Sequence, residues 1–398
     1  MSKSSDRVFV FLEIFSQEGG IQSYIKDVLQ AYHSLPNLAQ TDIFILRDAA
    51  DCPNPLRSDS ITYHYLKTSS PRLDRLRLAW SLVQILLLAR PQHLYCGHVN
   101  LAPLVRLLCQ PLGISYTVLT YGKEVWEPLT QAQKQATRGR ASAPKDWANE
   151  VWEPLTQAQK QALQQADCIW TISRYSRDVV CQYNDINPQK VKILPCVVDG
   201  NRFNIAPKPL DLVNKYQIED AQVLMKVARL WSEDIYKGVD VTLRALPKIL
   251  TVHPRVKYLI IGRGDDQPRL LQLAQDLGVG DRVIFAGFVK NEDLVAHYHL
   301  ASAYIMPSYE GFGIVYLEAM ACGVPVLSGD SDGSADPLQD GKLGWRVPHR
   351  DPDAVANACI EILAGRDRRC QGQWLREETL KVFGQEKLAK KLGILMGF

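Results

Sequence analysis

Short apolar runs alternate along this chain with stretches whose apolar residues recur at helical spacing. VFVFLEIF at 8–15 is nearly continuous in apolar character, the pattern of a strand buried on both faces. QEGG follows, and IQSYIKDVLQAYHSL carries a helical period from Ile21. DIFILR (42–47) and ITYHYL (61–66) read as strands, and Asp74 to Arg90 as a helix. HLYCG, a helical stretch from about Leu101 and SYTVLTYG continue the alternation. Further on come CIWTIS, a helix from Arg174 and KILP at 192–195. Repeated strand–helix units predict a parallel sheet with helices on both faces.

The alternation pauses at CVVDGNRFNIAPKPLD, which has a linker's composition. It restarts with VLMKVARL, a helix from Val239, KYLIIG, a helix across 268–277, RVIFAGF, AYIMP, a helix from Gly313 and VPVLSG. The expected organisation is an α/β chain of two doubly wound, Rossmann-like domains, over 1–200 and 201–373. A helical segment at 374–398 would close the chain by packing back on the first domain. Ligands of such sheets bind beyond the carboxyl ends of the strands, so two facing units would hold a substrate cleft between them.

One stretch interrupts the pattern. EVWEPLTQAQKQA stands at 124–136 and again at 150–162, identical at all thirteen positions, with a period of 26 residues. Repeat architectures need about three or more units, which diverge. Two perfect copies read instead as a recent tandem duplication or a sequence-assembly error. One copy suffices to carry the chain from TYG into a helix and on to CIWTIS. The spacer, with Arg138, Gly139, Arg140, Pro144 and Lys145, reads as an exposed basic loop, and loop closure makes such insertions cheap. The first copy's Glu124 is expected near the site, and the second copy is expected to supply the helix into Cys168.

Composition narrows the function classes. The formal net charge of +3 and the absence of a basic run with interleaved aromatics argue against a nucleic-acid partner. Nine cysteines without a CxxC pair or a Cys/His cluster read as reduced thiols of a cytoplasmic protein. The start, MSKSSDRVFVFLEIF, lacks a signal peptide's pattern. AWSLVQILLLA at 79–89 is shorter than the ~20 residues of a membrane span and is expected to be a buried helix. Peripheral membrane contact through the first domain is the remaining route to a bilayer.

The residues richest in chemistry are PSYEGFGIVYLEAMACGVPVLSGD at 307–330. Gly311 and Gly313 let the backbone turn sharply between a strand and a helix. The free amides of Phe312, Gly313 and Ile314 at the helix start would face an anion. Glu310 and Glu318 flank them, and carboxylates are acceptors suited to sugar hydroxyls. Upstream, VARLWSEDIYKGVD puts Arg229 after a strand and Lys237 before a helix, two cations at one sheet edge, where they would stabilise a departing diphosphate.

EGFG with a second Glu eight residues after the first, Arg229, Lys237-Gly238, GRG at 262–264, FAGFV at 285–289, EAMACGVPV and DGKLGW come in the order of a known family. The chain resembles the GT-B retaining glycosyltransferases of family 4 type (group 1), which use nucleotide-sugar donors. VVDGNRF at 197–203 is similar to that family's domain-linker motif. The resemblance implies sugar transfer from a nucleotide-diphosphate sugar to a polysaccharide, lipid or small-molecule acceptor, with no cofactor and no metal. It assigns Glu310 to the donor sugar hydroxyls, Glu318 to the ribose, and Arg229 and Lys237 to the diphosphate. Phe312, Gly313 and Ile314 would line the sugar and phosphate, with Gly262 alongside. In the first domain it implies Gly19 and Gly20 against the donor phosphates and Gly122 with Glu124 on the acceptor side.

Two departures stand out. Tyr121-Gly122 replaces the His-Gly of many members, and His98 in CGHVN is either the imidazole that approaches the cleft instead or a packed structural histidine. SADP replaces a Pro-Glu loop, with Asp336 as the shorter carboxylate. DSD at 330–332 is expected to be a solvated loop rather than a metal triplet. A dinucleotide cofactor fails because no GxGxxG follows the first strand. A nucleotide-sugar epimerase on the same fold and a catalytically impaired sugar-nucleotide-binding protein are the competing functions.

Overall fold

A computed structural model describes residues 6–122, 125 and 155–398. Glu124, the spacer and the first copy of the duplicated segment beyond Val125 lie outside the described residues. The described chain forms two compact units, one of 6–122, 125, 155–196 and 385–398, the other of 197–384.

The first unit runs β1 (Arg7–Phe11), α1 (Gly20–His33), β2 (Thr41–Ile45), β3 (Ile61–Tyr65), α2 (Pro71–Leu88), β4 (His93–Cys96), α3 (Ala102–Cys109), β5 (Ser115–Thr120), α4 (Gln157–Gln165), β6 (Cys168–Thr171), α5 (Arg174–Asn184) and β7 (Val191–Ile193). Every ladder is parallel, in the order β3-β2-β1-β4-β5-β6-β7. Central β1 is buried from Val8 to Phe11, as its continuous apolar run requires. α4 comes from the second copy of the duplicated segment. Thr156 and Gln159 form a reciprocal capping box at its start, and it leads directly to β6.

α2 corrects the expectation of a buried helix. Leu78, Leu82 and Leu86 point into the unit, while Leu73, Leu76, Trp80, Leu87 and Leu88 are exposed. Apolar residues on both sides of a helix leave no periodic cue to which side is covered. Among the described residues, no helix is long and apolar enough to cross a membrane.

The second unit runs α6 (Leu210–Tyr216), β8 (Gln222–Val227), α7 (Val239–Val252), β9 (Val256–Ile261), α8 (Gln267–Asp276), β10 (Val283–Gly287), α9 (Asn291–Tyr298), β11 (Ala303–Met306), α10 (Ile314–Ala321), β12 (Val326–Gly329), β13 (Trp345–Val347), α11 (Pro352–Ala364) and α12 (Gly372–Phe383). Its parallel sheet has the order β10-β9-β8-β11-β12-β13, so the chain reverses direction across the sheet between β8 and β11. The closing segment is two helices rather than one. α12 packs on α10, and Arg376 donates to the carbonyls of Gly200, Phe203 and Ala321. After Gly384, α13 (Gln385–Met396) packs on α1, with Arg7 donating to Met396 O at 3.0 Å.

Candidate active site

In the second unit the loops after β8 and β11 meet at the carboxyl edge where the strand order reverses. β8 ends at Val227, and a 3-10 segment, Ser232–Lys237, leads into α7. The Lys237 ammonium donates to Glu310 Oε1 at 2.5 Å, and both side chains are largely buried. Burial pulls the Lys237 pKa down, but the Glu310 carboxylate outweighs it and holds the ammonium above its ordinary range. Ser308 Oγ also donates to Glu310 Oε1, at 3.2 Å. Arg229 lies nearby in the chain with its guanidinium exposed, and the buried Asp234 carboxylate holds one end at 3.0 Å.

The Glu310 loop is held from below. Asp332 Oδ2 accepts the Glu310 amide at 2.5 Å, and Asp332 Oδ1 accepts the Ser334 amide at 3.0 Å. The Gly333 amide returns to Glu310 O at 2.8 Å. Asp332 is 4% exposed, so the expectation of a solvated DSD loop is wrong for its third residue. Its carboxylate is committed to the amides of the neighbouring loop. Burial, with Glu310 adding to it, pushes the Asp332 carboxyl up to about 6 against the lowering effect of these hydrogen bonds. Among the described residues, no group of three or more His, Cys, Asp or Glu side chains is placed to hold a metal.

α10 begins where the glycine permits it. Gly313 has φ +88°, and a Cβ there would come within 2.4 Å of the Tyr316 ring. No acceptor among the described residues takes the amides of Phe312, Gly313 and Ile314. The Phe312 side chain is buried against Phe383. Glu318, on the second turn of α10, is half-buried and accepts from Tyr298 Oη at 2.7 Å. Burial raises its pKa; the Tyr298 hydrogen bond and Arg202 act against that. Gly262 follows β9, and its amide donates to Gly287 O at 2.8 Å. At φ +139°, a Cβ on Gly262 would sit 1.8 Å from Ala228 O. Asp336 lies half-buried at the end of the 3-10 turn Gly333–Ala335.

Sequence reasoning missed the supports of this edge. Lys226, within β8, is wholly buried and its ammonium donates to the Lys237 carbonyl. Burial, followed by the repulsion of Lys237, pushes its pKa down to about 7. Arg350 and Asp240 form a buried ion pair at the start of α7, and Arg350 Nη1 also donates to Ile235 O at 3.3 Å. A lysine inside an otherwise apolar strand, VLMKV, was the available signal.

In the first unit, the singled-out residues follow β1, β4 and β5, three adjacent strands. Gly19 and Gly20 are exposed at the start of α1. Gly19 is extended, at φ 175°, where a Cβ would meet only the flexible end of Gln22, at 2.7 Å, and nothing lies within 4 Å of a Cβ on Gly20, so the backbone itself requires neither glycine. His98 Nδ1 accepts the Asn100 amide at 3.1 Å, leaving the proton on Nε2. Burial and Arg47 push His98 down to about 4. Tyr121 is a packed side chain whose hydroxyl donates to Gly97 O at 2.6 Å, and Gly122 follows it.

Residues 211–372 match the family model of glycosyl transferases group 1, and residues 19–196 that of a glycosyl transferase 4-like domain. The chain belongs to the group 1 glycosyltransferases. It is similar to the GDP-mannose-dependent alpha-(1-6)-phosphatidylinositol monomannoside mannosyltransferase of Mycolicibacterium smegmatis, 36% identical over 50% of this chain and 53% of that one. The D-inositol 3-phosphate glycosyltransferase of Acidothermus cellulolyticus is 37% identical over 49% of this chain and 44% of its own. The chain thus spans about half the length of the curated relatives it matches. Its fold is that of sucrose-phosphate synthase from Thermosynechococcus elongatus (TM-score 0.74, 21% identity, 99% of this chain and 98% of that one). An Anabaena HepE structure in complex with UDP has the same fold (TM-score 0.72, 16% identity, 98% and 99%).

Proposed function

We propose that this chain transfers a sugar from a nucleotide-diphosphate sugar to an acceptor with retention of configuration, without a metal or cofactor. The observation that carries this reading is the sheet edge where Lys237 pairs with Glu310 just before α10, the helix that opens with the 312–314 amides and carries Glu318. An ammonium has three N–H donors, and Glu310 takes one, leaving Lys237 able to bind phosphate. Arg229, clamped at one end by Asp234, offers its remaining guanidinium donors to the same diphosphate. Glu310 accepts from the donor sugar's hydroxyls. Glu318 takes the ribose on the oxygen that Tyr298 leaves free. The 312–314 amides, with Gly262 alongside, face the sugar and phosphate.

As the glycosidic bond breaks, negative charge grows on the diphosphate, and Lys237 and Arg229 stabilise it there. The acceptor hydroxyl attacks on the face the diphosphate leaves, and the departing phosphate takes its proton. No side chain is therefore assigned as general base. In the first unit, Gly19 and Gly20 have no fold-imposed reason to lack side chains, which suits close approach of a ligand. His98, neutral with its proton on Nε2, serves as a hydrogen-bond donor to substrate. Gly122 and Glu124 belong to the acceptor side.

The names of the relatives favour GDP-mannose as donor and a phosphoinositol-bearing acceptor. The test is a thermal-shift series with GDP, UDP and ADP, each with EDTA, followed by transfer from the matching sugar and NMR of the product anomer. A ligand that binds only the folded state raises Tm by mass action. A shift with one nucleotide, lost in Glu318→Ala, and an anomer matching the donor support the reading. An inverted anomer or absolute dependence on a divalent cation overturns the mechanism.

A further inference from the structure

Lys226 has no part in the reaction proposed above, yet it lies directly beneath a residue that does. β8 is apolar on either side of it, at Leu224, Met225 and Val227, and Lys226 is wholly buried. An apolar side chain would fill this strand position at a lower desolvation cost. The Lys226 ammonium instead donates to the carbonyl of Lys237, in the turn that enters α7. Other parts of the unit hold the same turn. Arg350, ion-paired with Asp240, donates to Ile235 O at 3.3 Å. Gly238, at φ +72°, lies so close to Pro307 that a Cβ would sit 2.4 Å from its carbonyl oxygen. The side chain that leaves the turn, Lys237, ends on Glu310 at 2.5 Å. The charged groups that face Lys226 are Lys237 from the turn, Asp240 from α7, Glu310 from the loop after β11 and Arg350 from the loop after β13. Protonated, Lys226 sets three cations against two carboxylates; neutral, it leaves the cluster balanced.

We propose that Lys226 is a positioning residue of the donor site: its ammonium holds the Lys237 turn in place, and a bound diphosphate brings a proton onto it. The inference rests on the reading of Lys237 as a diphosphate ligand. Without ligand, burial and the repulsion of Lys237 push Lys226 down to about 7. A diphosphate on Lys237 adds negative charge nearby and favours the ammonium. The protonated form makes a charge-assisted hydrogen bond to the Lys237 carbonyl, about twice as strong as a neutral one. Binding of the leaving group thus tightens the turn that carries its cation. Because the liganded pKa lies above the free one, affinity is full below about pH 7 and falls as pH rises past it.

The test is isothermal titration calorimetry of the full chain with GDP-mannose and with UDP-glucose, whose doubly esterified diphosphates do not titrate near neutral pH. Titrations run from about pH 6.5 to about pH 8.5, in buffers of two ionisation enthalpies, so that protons taken up are counted. The wild type should take up protons on binding and lose roughly tenfold in affinity across that range, tenfold for each unit by which the diphosphate raises the lysine. Lys226→Met should bind without that uptake and with a nearly flat profile. Asp332, at about 6 in the wild type, is present in both proteins, so their difference isolates Lys226. Lys237→Ala should weaken binding several-fold less in the Lys226→Met background than in the wild type. A side chain that only stabilised the fold would lower Tm on removal and leave the pH slope and the coupling unchanged. Binding of either sugar nucleotide to the wild type without proton uptake overturns the inference, even where Lys226→Met does not fold. So do equal slopes in the two proteins, or equal losses from Lys237→Ala in the two backgrounds. Binding of neither sugar nucleotide overturns the donor-site reading itself, and this inference with it.

Discussion

In each unit a loop beyond one strand is held by a buried aspartate delivered from the strand next door, and the two loops differ in what they carry. In the first unit Asp48, just after β2, accepts the amides of Ile14, Phe15 and Ser16 beyond β1 at 2.9, 2.7 and 3.2 Å. In the second, Asp332, after β12, accepts the amide of Glu310 beyond β11. The parallel follows from the fold: adjacent parallel strands end side by side, so the loop after one can reach the amides after the other. Past Asp48's amides the chain runs out into exposed residues and the Gly19-Gly20 turn, where Gly20 has open space around it. Past Asp332's amide it carries a charged side chain paired with Lys237, over the buried ammonium of Lys226. The same scaffold thus gives an open turn on one side and a rigid charged edge on the other.

The sharpest way to break this comparison is Lys237→Ala. In the proposed reaction it removes a cation from the leaving diphosphate, and it takes away Glu310's ammonium partner, so kcat should fall by about 10²–10³-fold. A loss confined to KM would show that Lys237 binds without assisting departure.

Lys226→Met tests the buried ammonium beneath that pair. The folded pKa lies near 7 and the unfolded one near the ordinary lysine value. Between them the unfolded chain binds more protons, so this group makes stability rise with pH from about 7 to 10. Denaturant titrations across that range should show a rise of roughly 2–4 kcal/mol in the wild type. The rise should be much flatter in Lys226→Met.

Asp332 gives the opposite slope. Its raised pKa makes the folded state hold its proton longer, so its contribution is present below about pH 4 and is lost as pH climbs through about 6. Asp332→Asn should remove that slope and reduce transfer, because the Glu310 amide loses a charged acceptor. Asp48→Asn should cost a similar ~1–3 kcal/mol of stability, with the smaller effect on kcat. Equal losses of kcat in the two variants would erase the difference between the loops.

The smallest expected effects come from the glycines. Gly313→Ala forces a Cβ against Tyr316 at positive φ and should cost more than about 1 kcal/mol. Gly20→Ala should change stability by less than about 1 kcal/mol. A fall in nucleotide affinity without a fall in Tm would place a ligand against Gly20.

The sequence by itself determined the two doubly wound units, because continuous apolar runs between amphipathic helices call for parallel sheets covered on both faces, and the linker composition at 196–211 divides them in two. It also located Arg229, Lys237, Glu310, Gly313 and Glu318 after their strands, since glycines and charges at strand ends punctuate the pattern. The exposed side of α2 was not legible, because an apolar helix does not say which face its unit covers. Neither was the burial of Asp332 or the support from Asp48, Lys226 and Arg350. Those contacts join segments far apart in the chain, and only the packing of neighbouring strands in space brings a carboxylate or an ammonium to the loop it holds.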